Sequence, residues 1–208
     1  MGNKNYYGTR ELTLMGMFGA LAAVLMLFEI PLPFIAPSFY GLDFAEVPVL
    51  IGTFSMGPAA GVIMEAVKIL VKLILKPTTT GFVGELANMV MSCAMILPAG
   101  VIYHLKKTRN GAITAMAVGT ISMAVAGVVM NALVMIPFYG SFMPIDTIIE
   151  MGAAVNPAVS SIWSLAIICV GPFNLIKGAA ASLITALVYK RISVLIHSMG
   201  SKRMMKAR

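Results

Sequence analysis

Six apolar segments alternate with short polar or proline-rich stretches along the chain. They predict helices over residues 11–30, 42–56, 59–75, 83–105, 112–136 and 164–196. The segments are continuously apolar, unlike the alternating strands of a membrane barrel. Most of them approach the roughly 20 residues that cross a bilayer, whereas residues 42–56 are too short for a full crossing. The pattern predicts one all-α integral membrane domain, residues 1–208, with six transmembrane helices.

Prolines and glycines set the predicted helix ends. Pro31 ends the first helix, and Gly57 with Pro58 separates the second from the third, because proline lacks a backbone donor and has a fixed φ. The connection after the fifth helix is long and apolar, and a short interfacial helix is predicted near residues 145–153. The last helix is predicted to bend near Gly171, which precedes a proline.

The distribution of charge predicts the orientation of the helices. Only 11% of the residues are charged, against about a quarter in soluble domains, yet the net charge is +7. The basic residues lie mostly at the ends of apolar segments, which argues against a nucleic-acid-binding surface. Three clusters share one side of the membrane when six helices are counted: Lys4 and Arg10; Lys106, Lys107 and Arg109; and Lys190, Arg191, Lys202, Arg203, Lys206 and Arg208. The positive-inside rule places that side, with both termini, in the cytoplasm.

Polar side chains inside three predicted helices lie at a similar depth on the outer side. They are Glu85, Asn88 and Ser92, then Asn131, and then Asn174 with Lys177. Residues three or four apart share a helix face, so the first three lie together, as do the last two. Such groups are costly in a membrane and tend to mark a site, although any one of them alone could equally join two helices. As a set they predict a small-molecule pocket on the outer side, below the aromatic first loop.

The third predicted helix carries four charged residues on one face: Glu65, Lys68, Lys72 and Lys76. Charges at mid-membrane cannot face lipid, so a structural network of ion pairs is predicted. Glu65 is expected to pair with Lys68. The other two lysines are expected to reach outward to water or to meet an acid from another segment: Asp43, Glu46 or Glu85.

Small residues on the first helix form two pairs with a spacing of four, Gly16 with Ala20 and Gly19 with Ala23. Such pairs let another helix approach closely. Two interpretations stay open at this point: packing inside the protein, or docking to a separate membrane subunit.

Several chemistries find no support in the sequence. The segment GPFNLIKGA is not a GxxxxGK[ST] motif, because its spacing is wrong and no Ser or Thr follows Lys177. No spacing of cysteine and histidine indicates a metal site, and no catalytic constellation is convincing. The sequence predicts a ligand-binding protein that uses no metal or cofactor and depends on other subunits for energy.

Four segments resemble one known family in order and spacing. They are FEIPLPFIAPSFYGLDFAEVPVLIGTFSMGPAAGVIMEAVK, GELAN, NALVMIPFYG and GPFNLIKG, and the likeness extends over residues 10–196. The family is that of the riboflavin-specific S-components, the substrate-binding membrane subunits of energy-coupling factor (ECF) transporters. The LDF–VP–FxxGPxAG and PFNxIKG blocks are its most specific signals.

The resemblance implies a six-helix protein of the bacterial cell membrane that captures riboflavin from outside. The partners it implies are a transmembrane coupling subunit and two ATPase subunits, whose ATP hydrolysis drives inward release. The riboflavin-binding residues that the resemblance implies are Phe39, Tyr40, Gly41, Leu42 and Asp43 of the first loop, and Asn131, Asn174 and Lys177 of the helices. Gly84, Glu85 and Asn88 of the fourth helix complete the predicted substrate-binding set. The pairs Gly16/Ala20 and Gly19/Ala23 are the matches to the docking motif of the family.

The chemistry of an isoalloxazine ring suits these side chains. Its uracil-like edge offers acceptors and an N–H, which an asparagine amide can match, and Lys177 can donate to a carbonyl or a ribityl hydroxyl. Three other interpretations stay open. The chain could be an S-component for another vitamin or a flavin analogue, a membrane enzyme that uses Glu85 or Lys177 as acid or base, or a structural subunit without a ligand.

Overall fold

The computed structural model describes residues 7–205, with side chains described for residues 7–188. The α-helices of this part are α1 (Thr9–Met26), α2 (Glu46–Met56), α3 (Pro58–Leu75), α4 (Val83–Leu105), α5 (Arg109–Met130), α6 (Ile136–Tyr139), α7 (Ile145–Ala153), α8 (Ile162–Leu165) and α9 (Gly171–Met205). One π-helical turn (Asn131–Met135) joins α5 to α6, and another (Ala166–Val170) joins α8 to α9. Of the charges behind the predicted orientation, Lys4, Lys206 and Arg208 lie outside the described residues.

The first predicted helix was too long, and the second was predicted to begin too early. Two short strands, β1 (Ile30–Pro31) and β2 (Gly41–Leu42), pair antiparallel, with Ile30 opposite Leu42. Residues 30 and 42 therefore belong to these strands and not to the helices predicted from the sequence. Asp43 Oδ1 then accepts a hydrogen bond from the amide of Ala45 at 2.9 Å, and α2 begins directly afterwards. The first loop, residues 27–45, is therefore held in a defined shape.

Two helices continue past the prolines or bends predicted for them. The helix predicted to stop at residue 136 runs on to Tyr139 through the first π turn. Pro137 lies just after this π turn and does not end the helix. The bend predicted near Gly171 coincides with the end of the second π turn. The short helix predicted near residues 145–153 is present as α7.

Four helical stretches among the described residues are long and apolar enough to cross a membrane: Thr9–Met26, Val83–Leu105, Arg109–Tyr139 and Ile162–Val188. α2 is apolar but has only 11 residues. α3 has 18 residues but carries Glu65, Lys68 and Lys72, which lower its hydropathy. The predicted class, a helical membrane protein, agrees with these features.

The charges at the centre of α3 lie in an ion-pair network with α2 and α4. Lys68 Nζ lies 2.8 Å from Glu46 Oε1 and 2.7 Å from Glu65 Oε2, which confirms the predicted pairing of Glu65 with Lys68. Ser92 of α4 donates a hydrogen bond to Glu46 Oε1 at 2.6 Å. Glu46, Glu65 and Lys68 are all 0% exposed. None of these charges therefore faces lipid, as the cost of ions in a membrane requires.

Apolar side chains form a main core and a smaller one. The main core lies among α1 to α5 and α9 and includes Met15, Leu50, Met64 and Met95. The smaller core joins the first loop to α6, α7, α8 and the second π turn, and its members include Ala36, Leu42, Ile136, Ile148 and Leu165. This second core fixes the first loop against the ends of the helices that carry Asn131 and Asn174.

The two small-residue pairs of α1 differ in burial. Gly19 and Ala23 face into the protein, and a Cβ at Gly19 would lie 2.7 Å from Cβ of Val67 on α3. The prediction that Gly19 and Ala23 form a docking surface is therefore wrong, because α3 already lies against Gly19 and Ala23 is fully buried. Gly16 and Ala20 are half-buried, and a Cβ at Gly16 would meet nothing within 4 Å.

Candidate ligand-binding site

A cavity of about 250 Å³ lies where the first loop meets α3, α4, α9 and the first π turn. Its lining contains these predicted site residues: Phe39, Tyr40, Gly41, Asp43, Gly84, Glu85, Asn88, Asn131, Asn174 and Lys177. Two predicted residues do not line it: the side chain of Leu42 turns into the smaller core, and Ser92 donates to Glu46 in the ion-pair network. The structure thus brings together residues from four distant parts of the sequence, and their role in binding stays a prediction.

The two asparagines in the cavity wall are held by the π turns. Asn131 opens the first π turn, and its Nδ2 donates to the carbonyl of Gly127 at 2.8 Å. Asn174 follows the second π turn, and its Nδ2 donates to the carbonyl of Val170 at 2.9 Å. π turns recur at functional sites, because an extra residue redirects the side chains around it. Each amide keeps a second N–H that this bond does not use.

Lys177 reaches across the cavity to the first loop. Its Nζ lies 2.7 Å from Asp43 Oδ2, and both side chains are almost fully buried. A buried ion pair needs further polar partners to balance the loss of hydration. An ammonium has three N–H donors, so Lys177 can hold Asp43 and still donate to a ligand.

Glu85 belongs to a polar cluster at the outer end of α4. It pairs with Lys72, and it accepts hydrogen bonds from the hydroxyls of Thr78 at 2.9 Å and Thr80 at 3.1 Å. These partners confirm the expectation that one of the outer lysines of α3 meets an acid from another segment. Because its oxygens are engaged by α3 and the following loop, Glu85 fixes the shape of the cavity wall.

Asn88 lies one turn below Glu85 and also lines the cavity. Its Oδ1 is buried and has no hydrogen-bond partner among the residues that the structure describes. An unsatisfied buried acceptor is costly, by about 1–3 kcal/mol. A donor on a bound molecule would remove that cost.

Aromatic rings form the roof and one side of the cavity. Phe39 and Tyr40 lie 4.6 Å apart between ring centroids, and Tyr40 lies 5.8 Å from Phe173. The hydroxyl of Tyr40 donates to Asn131 Oδ1 at 2.7 Å. Burial raises the pKa of Tyr40 above its ordinary value, so its hydroxyl stays protonated and remains a donor. The cavity therefore joins flat apolar walls to a small set of fixed amide, ammonium and hydroxyl groups.

The family model for the substrate-specific component of ECF transporters matches residues 10–189. The chain belongs to this family. As an S-component it is a substrate-binding subunit of a transporter and not an enzyme.

Relatives of this S-component carry more specific names. Riboflavin transporter RibU of Staphylococcus aureus (strain TCH60) is 30% identical over 189 residues, which cover 91% of this chain and 93% of that protein. Riboflavin transporter FmnP of Bacillus subtilis (strain 168) is 27% identical over 195 residues, with 92% and 96% covered. A solved S component of a bacterial ECF transporter superposes with a TM-score of 0.70 at 31% identity, covering 90% of this chain and 97% of that one.

Sequence reasoning missed several residues of the S-component cavity. They are Met26, Glu29, Lys72, Lys76, Pro77, Thr79, Thr80, Ala87, Met91, Met135, Tyr139 and Phe173. Tyr139 and Phe173 lie inside the motifs NALVMIPFYG and GPFNLIKG, so the sequence could have indicated them as residues of the cavity. The sequence placed Lys72 and Lys76 in a structural network of ion pairs. The charged face of α3 to which they belong in fact ends at the cavity.

Metal binding has no evident location in the described part of the chain. Within it, no three His, Cys, Asp or Glu side chains come together in a group that could hold a metal ion. Two acids of the cavity, Asp43 and Glu85, are instead paired with lysines.

Proposed function

We propose that this S-component binds riboflavin in the cavity beneath the first loop and delivers it inward as part of an ECF transporter. The single observation that carries the proposal is the convergence of Asn131, Asn174 and Lys177 with aromatic rings in one cavity. The names of the relatives support riboflavin as the ligand. A transmembrane coupling subunit and two separate ATPase subunits would supply the energy.

The polar groups of the cavity complement the edge of a flavin ring. The free N–H groups of Asn131, Asn174 and Lys177 can donate to ring carbonyls and ribityl hydroxyls, and Asn88 Oδ1 can accept from a ring N–H. The rings of Phe39 and Tyr40 offer an apolar face for the flat ring system. A ligand without this hydrogen-bonding edge would leave buried groups unpaired and would bind more weakly.

We also propose six membrane-embedded helices with both termini in the cytoplasm of a bacterial cell. The fifth comprises α5 and α6, the sixth comprises α8 and α9, and α2 and α3 count separately despite their short or charged sequences. The burial of Glu46, Glu65 and Lys68 supports this count, because α2 and α3 can then lie in the membrane without exposing a charge to lipid. The positive clusters on one side support the orientation.

Riboflavin titration tests the proposed ligand. Ligand-free purified protein should quench flavin fluorescence on binding and unfold at a higher temperature with riboflavin present, because a ligand that binds only the folded state stabilises it. Thiamine serves as a vitamin of different chemistry. No quenching and no thermal shift with riboflavin, or an equal shift with thiamine, would contradict the proposal.

Gly127 provides a test of the Asn174 contact. A Cβ at Gly127 would lie 2.6 Å from Nδ2 of Asn174, so Gly127→Ala must displace the amide. We expect riboflavin affinity to fall about tenfold, the effect of losing roughly one buried hydrogen bond. Gly16→Ala is the matched control, because its added Cβ meets nothing within 4 Å. Parental affinity in Gly127→Ala would exclude Asn174 as a ligand contact.

Helix α1 provides a test of docking to the coupling subunit. We expect Gly16→Leu to leave riboflavin binding intact and to reduce co-purification with the coupling subunit, because position 16 is open on the surface. Gly19→Leu should instead destabilise the isolated protein by about 1–3 kcal/mol, through overpacking against Val67. Thermal unfolding and co-purification separate the two effects. Normal assembly of Gly16→Leu would place the docking surface elsewhere.

A further inference from the structure

A second cavity, of about 650 Å³, lies at the opposite end of the helices from the riboflavin site. It is bounded by α5 and α9, the end of α4, and Phe54 of α2. Between the two cavities, the hydroxyls of Thr120 and Ser182 are hydrogen-bonded at 3.2 Å and join α5 to α9. The two sites are therefore separate, about 12 Å apart along α9 by the rise from Lys177 to Thr185.

One end of this cavity is positively charged. Lys107 and Arg109 line it, and neither shares its wall with an acidic side chain among the described residues. Arg109 also begins the 22-residue helix α5, whose first turn has no acidic residue. The positive end of the helix dipole therefore adds to the two side-chain charges.

The interior of the cavity contains an unpaired polar group. Thr185 of α9 lines it and is 0% exposed, and its Oγ1 has no hydrogen-bond partner in the part of the chain that the structure describes. The hydroxyl thus offers a donor to an acceptor that is not part of the described protein. It lies deeper along the helices than Lys107 and Arg109, at the level of Met116.

Apart from Tyr103 and Thr108, whose hydroxyl caps α5 by accepting a hydrogen bond from the amide of Gly111 at 3.0 Å, the remaining lining is apolar. Ile113 is 54% exposed and Leu187 is 66% exposed, and both lie at the rim of the cavity. In a membrane helix bundle such exposed aliphatic side chains face acyl chains. The groove therefore leads from a cationic end to the hydrocarbon of the bilayer.

We propose that this cavity binds an anionic glycerophospholipid of the cytoplasmic leaflet. The phosphate would lie against Lys107, Arg109 and the first turn of α5. The hydroxyl of Thr185 would donate to an ester carbonyl, and one acyl chain would follow the groove between α5 and α9. This order of charge, buried unpaired hydroxyl and apolar groove matches the order of groups in a phospholipid, which a soluble anion or a second protein helix lacks.

Titration with defined lipids tests the proposal. Phosphatidylglycerol or phosphatidylcholine with the same acyl chains is added to delipidated protein in detergent, and binding is measured by native mass spectrometry and thermal unfolding. We expect phosphatidylglycerol to bind more tightly than phosphatidylcholine and to raise the unfolding temperature more. Arg109→Gln and Lys107→Gln should each weaken its binding by about fivefold, the effect of one basic side chain at a lipid surface. Lys106→Gln is the matched control, since Lys106 precedes the same helix but does not line the cavity.

Thr185→Val tests the deeper contact independently of charge. Without lipid, this variant should be as stable as the parent or more stable, because it removes a buried unpaired hydroxyl. With phosphatidylglycerol, its affinity should be lower than that of the parent. All the variants should keep parental riboflavin binding, which shows that they are folded.

Four outcomes would overturn the proposal. Equal losses of phosphatidylglycerol affinity in Lys106→Gln and Arg109→Gln would reveal only a general attraction to anionic lipid. Equal binding of phosphatidylglycerol and phosphatidylcholine would show that the charged end of the cavity does not contact the lipid. If Thr185→Val is less stable than the parent in the absence of lipid, the hydroxyl of Thr185 makes a hydrogen bond within the protein. Loss of co-purification with the coupling subunit in Arg109→Gln, without any change in lipid binding, would assign the surface to that subunit.

Discussion

Lys177→Met is expected to lower riboflavin affinity by about ten- to a hundredfold, because it removes a charged hydrogen-bond donor worth about 1.5–3 kcal/mol from the cavity. It should also destabilise the protein. Asp43 would keep a buried carboxylate without its partner ammonium, which now lies 2.7 Å away. Breaking one side of a buried ion pair costs about 3–5 kcal/mol. Fluorescence titration measures the first effect, and thermal unfolding in detergent measures the second.

The double variant Asp43→Asn/Lys177→Met separates these two effects. Removing both charges should restore much of the stability, since no uncompensated carboxylate remains. It should not restore affinity, because the donor to the ligand is still missing. A double variant that regains affinity together with stability would show that Lys177 only supports the fold. Parental affinity in the single variant would exclude it from the site.

Lys68→Met is expected to cause the largest loss of stability in the chain. Glu46 and Glu65 would face each other with no cation between them, at a position where all three side chains are fully buried. We expect a loss of at least about 3–5 kcal/mol, enough to prevent accumulation of folded protein in the membrane. The measurement is the yield of monodisperse protein and, where enough is obtained, its unfolding temperature.

Two variants control for this effect. Lys76→Met removes a lysine from the exposed end of the same helix and should change stability by about 1 kcal/mol or less. The triple variant Glu46→Gln/Glu65→Gln/Lys68→Met keeps the shape of the network without charge and should recover much of the yield. If Lys68→Met were as stable as Lys76→Met, the network would contribute little to the fold.

The sequence could predict those residues of the site whose side chains are energetically costly to place in a membrane. Asn131, Asn174 and Lys177 stood out because polar groups are expensive in a membrane. Glu65 and Lys68 could be paired for the same reason. Proline and glycine located most helix ends, since they constrain the backbone directly.

The parts that sequence could not predict depend on direction and fine geometry. Small residues with a spacing of four occur twice on α1, and spacing alone does not tell that Gly19 faces inward while Gly16 faces outward. Gly127 supports Asn174 across two helices, and no local pattern marks it. Leu42 belongs to the first loop, but the alternation of β2 turns its side chain away from the cavity.

The two π turns affect how this chain must be aligned with its relatives. Each turn holds one residue more than an α-helical turn, and one residue corresponds to about 100° of rotation. A relative lacking the extra residue between Ala166 and Val170 needs a one-residue gap there, although its hydrophobic profile would look the same. Without that gap, the residue compared with Asn174 would lie on the wrong side of its helix. Substrate specificity can therefore be inferred from an alignment only when the extra residue of each π turn is matched or gapped, so that the residues compared face the cavity in both proteins.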